Sequence, residues 1–137
     1  MSIRQIRVKA ELYNIQNALL SLGIDYATPA HAENDFRNKS IKLYGLVKND
    51  HIVAICSVVP ETKYNYLAIK RLVVLNPKDR GNGYAKELLR TVIKRQKSAC
   101  GCTPWADNQK MQNLLKSLGF NYQYTFNGFW TFWKKEI

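Results

Sequence analysis

The sequence predicts one α/β (α+β) domain over residues 1–137, with strands and helices sharing a single core. Three observations indicate this fold class. A chain of 137 residues can bury about two-thirds of its unfolded surface, which is enough for one core. Apolar residues alternate along some stretches, as in strands, and recur at helical spacing along others. A strand-like run, a Gly-rich turn and a helix-like run also follow one another over residues 72–97.

The N-terminal third begins with a strand-like segment and continues with a helix. Residues 2–9 alternate weakly between apolar and polar side chains and predict a strand. Leu12 to Leu22 carries apolar residues at helical spacing, and Gly23 suits the left-handed cap that ends a helix. Residues 26–40 are polar and irregular, and we expect a short helix near Glu33 to Asn38.

The middle of the chain predicts three strands before the Gly-rich turn. Ile41 to Val47 and His51 to Val59 indicate two strands joined by a turn at Asn49-Asp50. Tyr64 to Leu75 indicates a longer third strand. After the turn, Lys86 to Lys97 carries an apolar stripe that predicts a helix.

The C-terminal part predicts a strand, a helix and a hairpin. Ala99 to Trp105 indicates a strand, and Asn108 to Leu118 a helix that Gly119 caps. Asn127-Gly128 is a strong hairpin signal between the aromatic-rich residues 121–126 and 129–133. The complete order is βααβββαβαββ. The aromatic side chains that could line a pocket or a dimer interface are Trp105, Trp130, Phe132 and Trp133.

The composition predicts a cytoplasmic protein. No apolar run reaches membrane-spanning length, and the N-terminus lacks the apolar core of a signal peptide. Cys56, Cys100 and Cys102 are an odd set, which is typical of free thiols in a reducing cytosol. They lack a second pair or a nearby His that would complete a zinc site, so we expect no metal.

The net charge of +11 predicts an anionic partner. An anionic cofactor would use part of this excess. One cluster lies on the helix after the Gly-rich turn, formed by Lys86, Arg90, Lys94, Arg95 and Lys97. Because apolar residues occupy the opposite face of that helix, two interpretations stay open: a solvated face or a nucleic-acid surface.

The run Arg80-Gly81-Asn82-Gly83-Tyr84-Ala85 has the chemistry of an anion site. Two glycines let the backbone turn tightly and expose its N–H groups. The following helix adds unpaired N–H donors and the positive end of its dipole, and Arg80 adds a charge suited to phosphate. The spacing does not fit the loop of nucleoside-triphosphate-binding proteins, nor Gly-x-Gly-x-x-Gly of dinucleotide sites, since Lys86 follows.

This run resembles motif A of the Gcn5-related N-acetyltransferases, the GNAT family, which has Arg/Gln-x-x-Gly-x-Gly/Ala. Arg80, Gly83 and Ala85 fall on the defining positions, and Pro77 lies where the family often has a proline. Residues 108–120 resemble motif B, in which an Asn precedes a helix that ends in Gly-Phe. The likeness is good over residues 40–137 and looser before them. It implies a mixed, twisted sheet with helices on both faces, the acyl-CoA N-acyltransferase fold.

The resemblance implies that acetyl-coenzyme A (acetyl-CoA) is the cofactor, with coenzyme A as the product. The backbone of Val73, Val74 and Leu75 would pair with the pantetheine arm like an added strand. The pyrophosphate would be bound by Arg80, Gly81, Asn82, Gly83, Tyr84 and Ala85. Asn108 would hydrogen-bond the pantetheine arm, although an N-cap of the following helix is the alternative interpretation.

The resemblance also implies a backbone oxyanion donor near a bulge in the fourth strand, around Val74. The general acid and base stay unassigned, because Leu115 and Thr103 stand where many members have Tyr and Glu. Leu115 lies seven residues after Asn108 and cannot donate a proton. The residues weighed as replacements are Tyr64, Tyr66, Tyr122, Tyr124, Glu61 and Cys102. His31 and His51 match no family position, and we expect His51 in a surface turn.

Three functions follow from the resemblance and the charge. The first is acetyl transfer from acetyl-CoA to a primary amine by direct attack on the thioester. The second is a nucleic-acid-directed member acting on aminoacyl-tRNA or a base, which the +11 charge favours. The third is a catalytically inactive module that binds coenzyme A, which Leu115 favours. Family members often form dimers, so a homodimer is also open.

Overall fold

The computed structural model describes residues 1–61, 66–96 and 98–136, with the side chains of Pro60 and Glu61 left out. These residues form four α-helices and seven strands in the predicted order. In chain order the elements are β1 (Ser2–Gln5), α1 (Lys9–Leu22), α2 (Pro29–Arg37), β2 (Lys42–Lys48), β3 (His51–Glu61), β4 (Tyr66–Val74), a 3-10 helix (Pro77–Asp79), α3 (Tyr84–Arg95), β5 (Ala99–Cys102), α4 (Gln109–Ser117), β6 (Asn121–Phe126) and β7 (Trp130–Lys135).

The seven strands form one mixed sheet in the order β1-β2-β3-β4-β5-β7-β6. Neighbouring strands are antiparallel except β4 and β5, which run parallel and are connected through α3. The parallel pairing is short: it begins at Tyr66 with Ala99 and ends at Ile69 with Cys102. Since β4 continues to Val74, the two strands separate beyond Ile69.

Helices cover both faces of the sheet, as the family resemblance implies. On one face, α3 and α4 place Leu88, Leu89, Val92 and Leu115 against buried residues of β2 to β5. On the other face, α1 and α2 place Leu12, Ile15, Leu19 and Ala32 against β2, β3 and the end of β4. Each group is buried, so the sheet lies between two apolar layers.

The turns follow the residues that predict them. Asn49 and Asp50 have φ of 51° and 63°, and Asn127 and Gly128 have φ of 53° and 77°. Two successive left-handed residues match the twist of the hairpins that these pairs connect. Gly23 is left-handed and closes α1 with a hydrogen bond to Leu19 O. No helix in the described ranges is both long and apolar enough to cross a membrane.

Several predicted boundaries differ from the structure. β1 ends at Gln5 instead of residue 9, and α1 begins at Lys9 because the extended Val8 offers its carbonyl to Glu11 and Leu12. β5 ends at Cys102 instead of Trp105. Trp105 itself forms an isolated β-bridge with Trp130. His51 is the exposed first residue of β3 and does not lie within the turn.

β4 contains a bulge, but it lies at Lys70 and not around Val74 as predicted. Ser57 pairs with Arg71 and Val58 pairs with Ile69, so Lys70 is the extra residue. Pairing is then regular to Val74, which lies opposite Ala54. The bulge falls immediately after Ile69, where β5 stops pairing and β4 is free to bend.

Candidate acyl-transfer site

The separation of β4 from β5 leaves one edge of β4 open beside a cleft. The Leu75 N–H donates to Val53 O at 2.9 Å, which fixes the direction of the backbone. In an antiparallel ladder the direction alternates, so Val73 also turns its N–H and C=O toward β3. Leu72 and Val74 therefore turn theirs toward the cleft. No described strand pairs with this stretch of β4 on the cleft side.

This alternation divides the three residues predicted to pair with the pantetheine arm. Val74 presents its backbone to the cleft, whereas the backbones of Val73 and Leu75 face β3. The side chains of Val73 and Leu75 are buried against α1 and α2. Leu72, which the sequence analysis did not single out, presents the second free backbone pair. The usable edge is thus Leu72 and Val74.

The Gly-rich turn between β4 and α3 is an open set of backbone donors. Gly81 and Gly83 have φ of 83° and 77°, and a β-carbon built on either would meet nothing within 4 Å. Gly83 is the N-cap of α3, and the first hydrogen bond into the helix runs from Glu87 N–H to Gly83 O at 3.0 Å. Within the described residues, the N–H groups of residues 81–86 have no backbone acceptor.

The segment before the turn is held in a defined shape. Asn76 caps the 3-10 helix by accepting the Lys78 N–H at 3.0 Å, and Arg80 N–H donates to Pro77 O at 3.2 Å. Asn82 Nδ2 donates to Asp79 O at 3.1 Å. The side-chain amide of Asn82 therefore stabilises the turn, and its backbone N–H has no backbone acceptor among the described residues. The Arg80 side chain is exposed beside the free donors.

Lys48, at the end of β2, also reaches this turn. Its Nζ donates to the hydroxyl of Tyr84 at 2.5 Å and lies 5.2 Å from the centre of the Tyr84 ring. This hydrogen bond raises the pKa of Lys48, so the ammonium stays charged. Sequence analysis missed Lys48, because 36 residues separate it from Tyr84 and only the sheet brings them together.

Asn108 is the N-cap of α4, as the alternative interpretation proposed. Its Oδ1 accepts the Met111 N–H at 3.1 Å. The buried Gln112 secures the same corner by donating to Trp105 O at 3.2 Å and Ala106 O at 2.9 Å. The oxygen of Asn108 is thus engaged within the protein. Its Nδ2 is the atom that a ligand would use.

The side chains considered as general acid or base lie in different environments. Burial raises the pKa of the Cys102 thiol to about 12, which removes it as a nucleophile. The Tyr122 hydroxyl pairs with Thr125 Oγ1 at 2.6 Å, and Tyr124 is exposed on β6. The Tyr66 ring lies 5.5 Å from Phe132. Tyr64 and the Glu61 side chain lie outside the described residues.

Three further residues from the sequence analysis, His31, Leu115 and Thr103, also have defined positions. His31 takes part in the capping box of α2, where Thr28 N–H donates to its Nδ1 at 3.0 Å. Leu115 is fully buried in the apolar layer between α4 and the sheet. Thr103 is exposed immediately after the end of β5.

An ion cluster that the sequence analysis missed lies beside the bulge of β4. Asp35 of α2 is 2% exposed, and its Oδ2 lies 3.5 Å from Arg71 Nη1. Its Oδ1 lies 4.0 Å from Lys70 Nζ. Because the bulge brings Lys70 and Arg71 to the same side of the sheet, both cations approach one carboxylate. The cluster connects α2 to the strand that borders the cleft.

Comparison with known proteins places this geometry in a family. A model of the acetyltransferase (GNAT) family matches residues 9–120, which is most of the chain. A comparison with curated protein sequences finds no match.

The fold is shared with solved acetyltransferases over nearly the whole chain. An acetyltransferase from Thermus thermophilus has 12% identity and a TM-score of 0.77, covering 100% of this chain and 98% of that one. NAA60 from Arabidopsis thaliana in complex with acetyl-CoA has 16% identity and a TM-score of 0.76, covering 99% and 98%. Spermidine N-acetyltransferase SpeG from Vibrio cholerae has 10% identity and a TM-score of 0.74, covering 99% and 95%.

Proposed function

The chain belongs to the acetyltransferase (GNAT) family and is an N-acetyltransferase, and from this premise we propose that it transfers the acetyl group of acetyl-CoA to a primary amine by direct attack on the thioester. One observation carries the proposal. The free backbone edge at Leu72 and Val74 leads into the unpaired N–H groups of residues 81–86. An extended amide arm followed by a diphosphate needs this succession of partners.

Each part of the cofactor has a proposed partner. The amides of the pantetheine arm pair with the backbone of Leu72 and the carbonyl of Val74, which leaves the Val74 N–H for the thioester, and Asn108 Nδ2 adds a side-chain donor. The diphosphate lies on the N–H groups from Gly81 to Lys86, where the α3 dipole favours negative charge. Arg80 adds an exposed cation. The open space around Gly81 and Gly83 leaves room for the phosphate oxygens.

The reaction requires that the negative charge on the thioester oxygen be stabilised and that a proton be removed from the amine. The amine nitrogen attacks the thioester carbonyl carbon, and the Val74 N–H stabilises the developing oxyanion, a contribution of about 3 kcal/mol for one preorganised donor. The carbon–sulfur bond then breaks, and the coenzyme A thiolate leaves. An amine of pKa about 10.4 must lose its proton at a cost of roughly 4 to 5 kcal/mol at pH 7. We propose that water in the open cleft accepts that proton.

A nucleic-acid-directed acceptor is the second candidate, and one surface favours it. Arg90, Lys94 and Lys135 line a hollow between α3 and the C-terminal end of α4. Together with the net charge of +11, these cations suit a phosphate backbone. A small amine stays the first candidate, since a similar fold occurs in a spermidine N-acetyltransferase.

A thermal-shift titration with acetyl-CoA, coenzyme A and ATP at fixed salt tests the cofactor. A ligand at about 100 times its dissociation constant adds roughly 2.7 kcal/mol to the free energy of unfolding. We expect both coenzymes to raise the melting temperature and ATP to have no effect. Equal stabilisation by ATP, or none by either coenzyme, would contradict the proposal.

A substitution in the turn tests the residues that bind the diphosphate. Gly83→Asp places a carboxylate among the proposed phosphate donors, and we expect calorimetry to detect no coenzyme A binding. Gly128→Asp is the matched control, because Gly128 has the same φ of 77° and the same open surroundings in the distant hairpin. It should bind normally. Unchanged affinity in a folded Gly83→Asp variant would exclude the turn as the diphosphate site.

A further inference from the structure

The bulge of β4 places two cations beside a single carboxylate. Asp35 Oδ1 lies 4.0 Å from Lys70 Nζ, and Asp35 Oδ2 lies 3.5 Å from Arg71 Nη1. Among the side chains that the structure describes, Asp35 is the only acid within 4.0 Å of either cation. The cluster therefore carries one positive charge without a counter-ion in this part of the protein.

Hydrogen-bond donors of the same cluster lack partners. Arg71 Nε and Ser57 Oγ are buried without a hydrogen-bond partner among the described residues, and Ser57 lies directly opposite Arg71 in the sheet. Lys70 Nζ is too far from Asp35 Oδ1 for a hydrogen bond. Because buried polar groups are normally hydrogen-bonded, a cluster with more free donors than free acceptors suits an anionic group from outside the chain.

The cluster lies at the start of the free edge of β4. Arg71 is followed by Leu72, whose backbone faces the cleft, and the bulge falls where β5 stops pairing. Lys70 and Arg71 face α2, which packs on the opposite side of the sheet from α3. A molecule bound by these cations would therefore approach the thioester from the face opposite α3, whose first turn is the proposed diphosphate site.

Aromatic rings continue the α2 face of the sheet beside the cluster. Alternation along β4 turns Tyr66 away from the face on which Leu67 is buried beneath α3. The Tyr66 ring lies 5.5 Å from the Phe132 ring, which lies 5.4 Å from that of Tyr124. Gly101 leaves room for them, since a β-carbon there would lie 2.7 Å from the Tyr66 ring. Tyr124 is 54% exposed, so this aromatic surface is open to an apolar group.

We propose that the acceptor is an amine that also carries a carboxylate, namely an α-amino acid with an apolar or aromatic side chain. Lys70 Nζ and the Arg71 guanidinium bind the carboxylate, and the aromatic surface contacts the side chain. The assignment rests on the proposed function, because the amine is acetylated by the attack described above, which gives an N-acetyl amino acid and coenzyme A. A polycation such as spermidine is repelled by the unpaired positive charge.

Initial acetylation rates with L-phenylalanine, L-phenylalaninamide and spermidine test the charge. We expect kcat/KM for L-phenylalanine to exceed that for its amide about tenfold, as for one charge-assisted contact, and spermidine to be the poorest acceptor. Lys70→Met should remove the preference by raising KM for L-phenylalanine alone. Lys39→Met, at an exposed lysine after α2, should keep it. Equal use of L-phenylalanine and its amide, a preference for spermidine, or equal effects of Lys70→Met on both phenylalanine acceptors would overturn the assignment and leave the proposed function standing.

Charge reversal distinguishes recognition from a merely structural role. Lys70→Glu gives the cluster a net negative charge, so kcat/KM for spermidine relative to L-phenylalanine should rise at least tenfold. Coenzyme A affinity in calorimetry should stay unchanged. A ratio that keeps its wild-type value in a variant that still binds coenzyme A would overturn the assignment. A wild type that acetylates no amine, these acceptors included, would contradict the proposed function and the acceptor assignment with it.

Two tyrosines of β6 test the aromatic surface. Tyr124→Ala should lower kcat/KM for L-phenylalanine several-fold and leave that for glycine unchanged. Tyr122→Ala is the matched control, because Tyr122 is 51% exposed on the same strand and its ring contacts Trp133, which is buried on the α4 face. An effect of Tyr122→Ala as large as that of Tyr124→Ala, or no effect of Tyr124→Ala, would overturn this part of the assignment.

Discussion

The burial of Leu115 determines what a tyrosine at this position of motif B would do. Many members of the GNAT family have a tyrosine at this position. From the sequence alone, Leu115→Tyr would therefore be expected to restore a general acid for the coenzyme A thiolate. In the structure Leu115 is fully buried against the sheet. We expect Leu115→Tyr to overpack this layer and to lower the free energy of unfolding by about 1 to 3 kcal/mol. Urea unfolding measures this difference.

A control separates overpacking from a general intolerance of tyrosine in α4. Leu118 is only partly buried at the end of the same helix and lines an open hollow. Leu118→Tyr should therefore change stability by less than about 1 kcal/mol. If Leu115→Tyr were as stable as the wild type and turned over faster, the side chain would reach the cleft and our placement of position 115 would be wrong.

The buried Cys102 thiol gives a pH dependence whose sign can be derived. Its pKa is raised from 9.0 to about 12 by burial. Between these values the unfolded chain loses the thiol proton and the folded protein keeps it, so stability falls as pH rises. At pH 10 the loss is about 1.4 kcal/mol relative to pH 8. Urea unfolding of wild type and Cys102→Ala at pH 8 and pH 10 measures this effect. The difference in their free energies of unfolding should be smaller at pH 10 by that amount. A difference that does not change with pH would contradict the burial effect.

The residues of the site differ in how far the sequence could predict them. Gly81 and Gly83 were predictable, because two glycines before a helix signal left-handed backbone and free donors, and the structure has φ of 83° and 77°. Lys48 and Asp35 were not, because each contacts a partner 36 residues away along the chain. No local pattern encodes such a pair. The direction of the Val74 backbone likewise depends on its register with Ala54.

At the scale of the elements, the contact between α2 and β4 depends on a buried ion pair. Asp35 faces Arg71, whose side chain is 12% exposed, and Arg71 Nε has no hydrogen-bond partner among the described residues. Removing one member leaves the other charge buried and unpaired, which costs about 3 to 5 kcal/mol. We expect Asp35→Leu to destabilise the protein by that amount in urea unfolding.

The double variant Asp35→Leu with Arg71→Leu tests whether the pair or the packing is responsible. Since an apolar pair can replace buried charges with little loss, the double variant should be more stable than Asp35→Leu alone. Additive losses would mean that the two charges do not interact. Lys70→Met is a further control, because Lys70 is exposed and its ammonium is 4.0 Å from the carboxylate. It should cost less than about 1 kcal/mol.

The bounds of the elements were predictable where local chemistry sets them. Asn49-Asp50, Asn127-Gly128 and Gly23 each end an element as expected, since their backbones are left-handed. The ends of β1 and β5 were wrong by a few residues, because a strand continues only while a neighbour pairs with it. β5 loses β4 as a partner after Cys102, although apolar and aromatic residues continue to Trp105.

For the whole molecule, the sheet order decides where the site lies. The element order was predictable from periodicity, but the placement of β7 between β5 and β6 depends on pairings between distant segments. The family resemblance supplied what periodicity lacked: one mixed sheet with helices on both faces. The cleft exists because β5 pairs with β4 only as far as Ile69, whereas β4 continues to Val74.

The net charge of +11 leads to a prediction about nucleic acid. Two of the cations on α3 are engaged within the protein: Arg90 lies 3.8 Å from Glu87, and Arg95 donates to Ile3 O at 2.9 Å. Lys97 lies outside the described residues. We therefore expect only non-specific tRNA binding, with a dissociation constant of about 10⁻⁴ to 10⁻⁶ M at physiological salt. Fluorescence anisotropy at several salt concentrations measures the affinity and its salt dependence.

Charge reversal in the hollow between α3 and α4 completes this test. Arg90→Glu combined with Lys94→Glu changes the local charge by four, so residual tRNA binding should weaken and its salt dependence should become shallower. Coenzyme A affinity should stay unchanged, because the Gly-rich turn lies at the opposite end of α3. Nanomolar tRNA binding by the wild type that this variant abolishes would instead make a nucleic-acid-bound amine the favoured acceptor, since specific recognition exceeds what non-specific charge provides.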